Sequence, residues 1–210
     1  MHRLDHILWG ASSLESGIAE FAAMTGVTLA PGGRHPGFGT HNALASFGDH
    51  TYLEIIAPDP TQELAGTLGA FLQTFERPAL FHFAITTSNI DNVARNLRAL
   101  GIGSRLVPMS RTRADGVTLN WRNLYPEEHD FGFALPFFIQ WDTDFHPSRL
   151  PAVGLTRDSF TVHHPRVDEL RRLYAGLDIP VEIVAAERAE FRALIGTPKG
   201  PVELAGLIHG

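Results

Sequence analysis

The sequence predicts an α+β protein. Two successive βαβββ modules curl into a half-open barrel, and a C-terminal partial third module follows. Three observations lead there. A pattern of strand, helix and three further strands over residues 4–57 recurs over residues 79–141. The chain has 210 residues, 44% hydrophobic and 19% charged, enough to bury a core without staples. The first and last strands of each repeat each carry one polar, chemistry-capable side chain among apolar ones.

The elements follow in order. Residues 4–10 (Leu-Asp-His-Ile-Leu-Trp-Gly) read as a buried strand, and Ser12 or Ser13 caps a helix over 14–24 that Gly26 ends. Residues 27–30 form a short strand, and Pro31-Gly32-Gly33-Arg34-His35-Pro36-Gly37 a loop. Strands over 42–47 and 51–57 flank the turn Gly48-Asp49-His50, and Pro58-Asp59-Pro60 stops the second. A helix over 63–75 links the modules. The second module begins with a strand over 79–86 and a helix over 90–100, capped by Ser88 or Asn89 and closed by Gly101. Strands over 105–108 and 118–124 flank the turn Arg113-Ala114-Asp115-Gly116, and residues 137–141 form its last strand. The third echo reads as a strand over 157–162, a helix over 167–177 and strands over 181–186, 191–195 and 202–207. The resulting organisation is 1–60, 61–78, 79–146 and 147–210: first module, linking helix, second module and C-terminal partial third module.

Strand alternation locates the chemistry. His6 shares a face with Leu8, His82 with Ala84, Glu54 with Tyr52 and Ile56, and Gln140 with Phe138 and Asp142. The expectation is that His6, Glu54, His82 and Gln140 converge inside the cup. Two imidazoles, a carboxylate and an amide oxygen form a donor set for a divalent metal (Ni, Fe, Mn, Co or Zn), with His6, Glu54 and His82 as ligands. Glu54 and Gln140 are then the catalytic candidates, Gln140 as weak ligand or substrate-orienting group.

Leu4-Asp5-His6-Ile7, Tyr52-Leu53-Glu54-Ile55-Ile56-Ala57-Pro58-Asp59 and Phe81-His82-Phe83-Ala84-Ile85 resemble the vicinal oxygen chelate superfamily. Together with Gly39-Thr40-His41-Asn42 and Leu135-Pro136-Phe137-Phe138-Ile139-Gln140-Trp141, they look most like its glyoxalase-like bacterial branch. The resemblance covers about residues 3–145. It implies paired βαβββ modules of the glyoxalase/bleomycin-resistance/dihydroxybiphenyl-dioxygenase type around a metal or substrate cup. Its metal-dependent members use a His or Gln on the first strand and a Glu on the fourth strand of each module. His6, Glu54 and His82 match that pattern. Gln140 departs from it, and an amide takes up no proton at neutral pH, which argues against ordinary glyoxalase I activity.

Plainer readings stand beside these. His82 can be a hydrogen-bonded core histidine, Glu54 a carboxylate paired with an arginine, and Gln140 a pocket polar group. His41 and Asn42 line the cup mouth or brace a turn. Arg111, Arg113 and Arg122 bind a substrate anion or lie on a solvated hairpin. Tyr52, Trp121 and Phe138 line the cup, although Trp121 and Trp141 also suit packing. Gly32-Gly33 lacks the following helix and the lysine of a phosphate loop.

Composition removes several classes. There is no Cys, so thiolate sites and disulfides are out. The net charge is -6, with Lys199 the one lysine among 17 basic residues, which disfavours nucleic acid. No apolar run suits a membrane span, and the N-terminus lacks a signal-peptide core, so a cytoplasmic protein is expected. Two functions remain. One is a metal-dependent lyase, isomerase or dioxygenase acting on a small oxygen-rich substrate; with the metal absent or loosely held, Glu54 itself would be the base. The other is a metal-free small-molecule binding protein of the drug-sequestering type that uses the same cup. A homodimer is the expected assembly.

Overall fold

The computed structural model describes residues 2–112, 116–150 and 153–209. The first module comprises β1 (Arg3–Gly10), α1 (Leu14–Thr25), β2 (Ala30–His35), β3 (Thr40–Ser46) and β4 (Tyr52–Pro58). Ser13 caps α1 by accepting the Ser16 N–H, and Gly26 closes it in the left-handed region at φ 76°. The linking helix is shorter than the sequence suggests: only α2 (Leu68–Leu72) is helical. The second module comprises β5 (Ala79–Thr86), α3 (Ile90–Ala99), β6 (Gly103–Thr112), β7 (Thr118–Glu127) and β8 (Phe137–Trp141).

Both modules share one eight-stranded sheet in the order β2-β3-β4-β1-β5-β8-β7-β6. β1 lies parallel to β4 and antiparallel to β5, and β5 lies parallel to β8. Across β1 and β5, His6 faces Ala84, Ile7 faces Phe83 and Leu8 faces His82. The pairing is therefore symmetric about Ile7 and Phe83, the expected signature of a duplicated module. One face of the sheet packs on the helices through Ile7, Leu53, Phe83 and Ile85, all fully buried. Each such side chain contributes roughly 1.5–3 kcal/mol of burial energy. The other face curls inward around a separate apolar cluster that includes Leu8, Ile56, Phe81 and Phe137.

The C-terminal segment contains β9 (Thr156–His164), α4 (Val167–Gly176), β10 (Glu182–Ala185), β11 (Glu190–Gly196) and β12 (Val202–Leu207). Its element order repeats βαβββ in full, but its wiring differs. The sheet order is β10-β9-β11-β12, so its first and fourth strands do not pair as β1 and β4 do. It packs on the helix-side face of the large sheet, where the Phe83 ring meets Phe160 at 5.1 Å and Phe191 at 5.8 Å. Gly206 makes this contact possible, because a Cβ there would overlap the Leu80 carbonyl. Gly206→Ala is therefore expected to lower the unfolding free energy by about 1–3 kcal/mol. Urea titration checks this, and an unchanged midpoint would show that the two sheets do not pack so closely. Among the described residues, no helix is long and apolar enough to cross a membrane.

Candidate functional site

The cup opens on the inward face of the large sheet. Its empty space is about 720 Å³, counting the open solvent at its mouth. Its floor is formed by His6 from β1, Tyr52 and Glu54 from β4 and Asn42 from β3. Trp121, Asn123 and Tyr125 of β7 and Phe137, Ile139 and Trp141 of β8 form one wall, and Arg111 of β6 reaches in beside His35 of β2.

The central group is His6, only 3% exposed and held between two carboxylates. Its Nδ1 lies 2.7 Å from Asp5 Oδ1 and its Nε2 lies 3.2 Å from Glu54 Oε2. Both ring nitrogens can satisfy these oxygens only as N–H donors, so the ring carries a positive charge. Burial opposes that charge, but the hydrogen bonds to Asp5 and Glu54 outweigh it and raise His6 to about 9. Burial likewise pushes Glu54 up, yet the His6 hydrogen bond and the nearby imidazoles hold it at about 2. Asp5 is fully buried; the hydrogen bonds from His146 and His6 overcome its desolvation and keep it well below the usual carboxylate range. The Tyr52 ring stacks on the imidazole at 4.5 Å.

The surroundings fix each member. Asp5 Oδ2 accepts from Trp141 Nε1 at 3.1 Å and lies 3.0 Å from His146 Nε2. His146 sits on the segment after β8, which Ser46 Oγ ties down by donating to the Ser148 carbonyl at 2.7 Å. Glu54 Oε1 accepts from Asn42 Nδ2 at 2.7 Å, and Asn42 Oδ1 accepts the Gly33 N–H at 2.7 Å. Burial lowers the pKa of His35 and leaves it neutral, so its Nε2 accepts from Asn42 Nδ2 at 3.3 Å and its Nδ1 donates to Thr40 Oγ1 at 2.9 Å. Gly32 and Gly33 now have a reason: a Cβ on Gly32 would overlap Asn42 Oδ1, and one on Gly33 would overlap Arg111 Cδ.

This network makes stability depend on pH in two directions. Glu54 is depressed from its ordinary 4.5 to about 2, so its contribution is complete above 4.5 and is lost as the pH falls toward 2. His6 is raised from 6.5 to about 9, so its contribution is complete below 6.5 and is lost as the pH rises through 9. The unfolding free energy is expected to peak near 6.5: above it the His6 contribution is lost, and below it the buried neutral His82 and His35, both lowered, weaken the fold before Glu54 itself is protonated. Urea titrations across pH check this, and His6→Gln should flatten the alkaline arm.

Several residues singled out from the sequence do line the cup: His6, Glu54, His82, Asn42, Tyr52, Arg111 and Trp121. Others do not. Gln140 and Phe138 point to the opposite face of β8. Gln140 Oε1 accepts the Ile90 N–H at 2.9 Å, satisfying the first turn of α3, and Phe138 is fully buried in the helix-side core. The strand is apolar on both sides, which hides its register in the sequence. His41 alternates with Thr40 and Asn42 and so turns outward. Arg122 also faces outward, paired with Asp142 at 3.0 Å. Arg113 lies outside the described residues.

The expected metal ligand set is not assembled either. Leu8, two residues after His6, pairs with Glu54; Ala84, two residues after His82, pairs with Phe137. The position related to Glu54 by the internal symmetry is thus Phe137, which offers no donor. Both His6 nitrogens already face carboxylates. The His82 ring lies against Phe133 at 4.6 Å and Phe137 at 5.2 Å, and burial lowers it to about 3, so it is neutral. Its Nδ1 has no hydrogen-bond partner. Among the described residues, no group of three or more His, Asp and Glu side chains is placed to hold an ion. These residues do not fit a resident divalent metal on the pattern expected from the sequence.

The sequence reading missed Asp5, His35 and His146. The pairing of β1 with β5 shifts register between Leu4 and His6, and this bulge turns Asp5 toward His6 instead of the opposite face. His35 lies in the segment read as a loop, which forms β2 with an irregularity between Pro31 and Arg34. His146 lies on a connection with no periodic signal.

Comparison with known proteins places this architecture. The glyoxalase-like domain family matches residues 4–177. The chain belongs to that family. The match spans both modules of the large sheet and continues through α4. Among solved structures, a hypothetical protein from Staphylococcus aureus is similar over 100% of this chain and 87% of its own, with TM-score 0.69 and 18% identity. Methylmalonyl-CoA epimerase from Mycobacterium tuberculosis is similar over 66% of this chain and 86% of its own, with TM-score 0.44 and 21% identity. A hypothetical protein from Bacillus halodurans C-125 covers 69% of this chain and 96% of its own, with TM-score 0.46 and 17% identity. No curated protein matches the chain.

Proposed function

We propose that the cup catalyses proton transfer on a small carboxylic acid, as a lyase or isomerase whose acid and base belong to the chain itself. The observation that supports this most is the buried Asp5–His6–Glu54 triplet: an imidazolium and a carboxylate side by side, 3.2 Å apart, on the floor of a largely apolar pocket. Glu54 is the base that removes a proton from carbon next to a carbonyl. His6 Nε2–H is the acid that neutralises the oxyanion as it forms. Asp5 keeps the imidazole charged and oriented, and Asn42 fixes the Glu54 carboxylate. A substrate that separates Glu54 from His6 removes its main stabilising partner, so Glu54 becomes more basic on binding. In isomerisation the enol O–H then returns its proton to His6 Nε2 while protonated Glu54 delivers its proton to carbon, which regenerates the carbonyl and resets both groups. Arg111 supplies the positive charge that seats the substrate carboxylate.

The test is exchange of the C–H next to a carbonyl in deuterium oxide, followed by proton NMR over a panel of small keto and hydroxy acids. Exchange is expected for at least one acid, at a rate that a chelator does not change. Exchange that disappears with chelator and returns with a divalent metal would replace this reading with metal catalysis. A second reading is favoured by the aromatic wall of Trp121, Tyr125, Phe137 and Trp141: a binding protein without chemistry. Saturable binding of an acid with no exchange in any member of the panel would decide for it.

A further inference from the structure

One wall of the cup carries an unfinished hydrogen-bond ring. Trp121, Asn123 and Tyr125 alternate along β7, so they share a face, and all three line the cup. Asn123 is only 5% exposed. It pairs with Ile139 of β8 and so is held inside the sheet. Its Nδ2 donates to the Tyr125 hydroxyl at 2.9 Å, while its Oδ1 is buried with no hydrogen-bond partner. The Tyr125 hydroxyl is incomplete too. The hydrogen bond it makes is the one it accepts from Asn123, and among the described residues no acceptor takes its proton. Burial raises Tyr125 to about 12, so that proton stays on the oxygen at neutral pH.

An acceptor shut off from bulk water and left unbonded is costly, and folded proteins seldom leave one so. Here the two unmet needs are complementary: an oxygen that lacks a donor beside a hydroxyl that lacks an acceptor. A single hydroxyl meets both. It accepts from Tyr125 Oη–H, donates to Asn123 Oδ1, and closes a ring in which every member gives one hydrogen bond and takes one. Turning the carboxamide over reverses the direction of the ring without opening it, and a hydroxyl fits either direction. A ketone or carboxylate oxygen only accepts and an ammonium only donates, so each leaves one member unpaired. The ring also stands near the proposed chemistry, because Tyr125 feels the charge of Glu54.

We propose that Asn123 and Tyr125 form a hydroxyl-binding subsite, and that the substrate of the cup is a small hydroxy acid whose hydroxyl closes their ring. This rests on the proposed function for the acid; the hydroxyl stands on Asn123 and Tyr125. The subsite sets specificity, because a guest without the hydroxyl leaves buried polar groups of the site unpaired.

The probes are butyrate, the hydroxybutyrates substituted at the second, third or fourth carbon, and the methoxy counterpart of each. Their Kd values are read by ligand-observed NMR on the full chain. At least one hydroxybutyrate is expected to bind about tenfold more tightly than butyrate. Its methoxy counterpart, which accepts but does not donate, should lose that advantage. Asn123→Leu, similar in size but without polar atoms, should bring the hydroxy acid within about twofold of butyrate. Tyr125→Phe, which leaves Asn123 in place, should reduce the advantage as well. Comparing hydroxy, methoxy and parent acids on the wild-type chain depends on no variant folding. Butyrate binding as tightly as every hydroxybutyrate would overturn the subsite and assign the ring to a fixed water. A methoxy acid binding as well as its hydroxy acid would overturn the need for a donor. An advantage that survives Asn123→Leu would place hydroxyl recognition elsewhere. No binding by any of these acids would overturn the hydroxy acid as ligand. The acid–base reading is judged apart: C–H exchange without a hydroxyl preference sinks the subsite alone, and a hydroxyl preference without exchange in any acid sinks the chemistry alone.

Discussion

Glu54→Gln should reduce carbon-acid exchange by about 10²- to 10⁴-fold while leaving ligand affinity within a few fold. The size of the effect comes from two losses at once. The amide cannot accept a proton at neutral pH, so the base is gone. An amide also presents either an oxygen or an NH₂ group to each neighbour. Asn42 Nδ2 donates to Oε1, so the amide oxygen stays there and its NH₂ group faces His6 Nε2. Two donors then meet, and the imidazole escapes the conflict by losing its Nε2 proton, so the acid is lost with the base. Affinity persists because the aromatic walls and Arg111 are untouched. Exchange at the wild-type rate in this variant would show that Glu54 is not the base.

Asp5→Asn should cost about 3–5 kcal/mol of stability, the usual result of deleting one member of a buried charged network. Asp5 is fully buried and is surrounded by donors: His6 on one oxygen, Trp141 and His146 on the other. Asparagine must turn its NH₂ group toward one side: toward Trp141 and His146 it meets two donors, and toward His6 it is accommodated only if Nδ1 gives up its proton and the imidazole its charge. It also leaves the His6 imidazolium with Glu54 as its remaining charged partner. Chemical denaturation checks the value. A loss below about 1 kcal/mol would mean that Asp5 is not the charged anchor of the network.

The sequence made the frame of this protein readable, because strand alternation is a simple physical period. The repeat placed His6 and His82 on matching first strands, and alternation on β4 correctly turned Tyr52 and Glu54 inward. The same rule failed wherever the structure breaks the period or gives it nothing to report. At Asp5 a bulge rotates the chain by a residue, so strand alternation gives no reason to bring the carboxylate that charges His6 to its side. At Gln140 and Phe138 both faces of β8 are buried, so apolar content does not reveal parity. At His35 the Pro and Gly content of the segment reads as a loop, although two of its glycines serve to admit Asn42 and Arg111. His146 reaches Asp5 across 141 positions of chain, a contact that no local pattern encodes.

One measurement bears most directly on the whole mechanism: the protonation state of His6, followed by nitrogen and proton NMR of its imidazole against pH, with His6→Gln identifying the signals. A ring clamped between Asp5 and Glu54 should remain doubly protonated through neutral pH and titrate near 9, with both N–H protons protected from solvent. A His6 that titrates at or below its ordinary 6.5 would mean that the two carboxylates do not hold an imidazolium between them, and the proposed acid–base pair would fall with it.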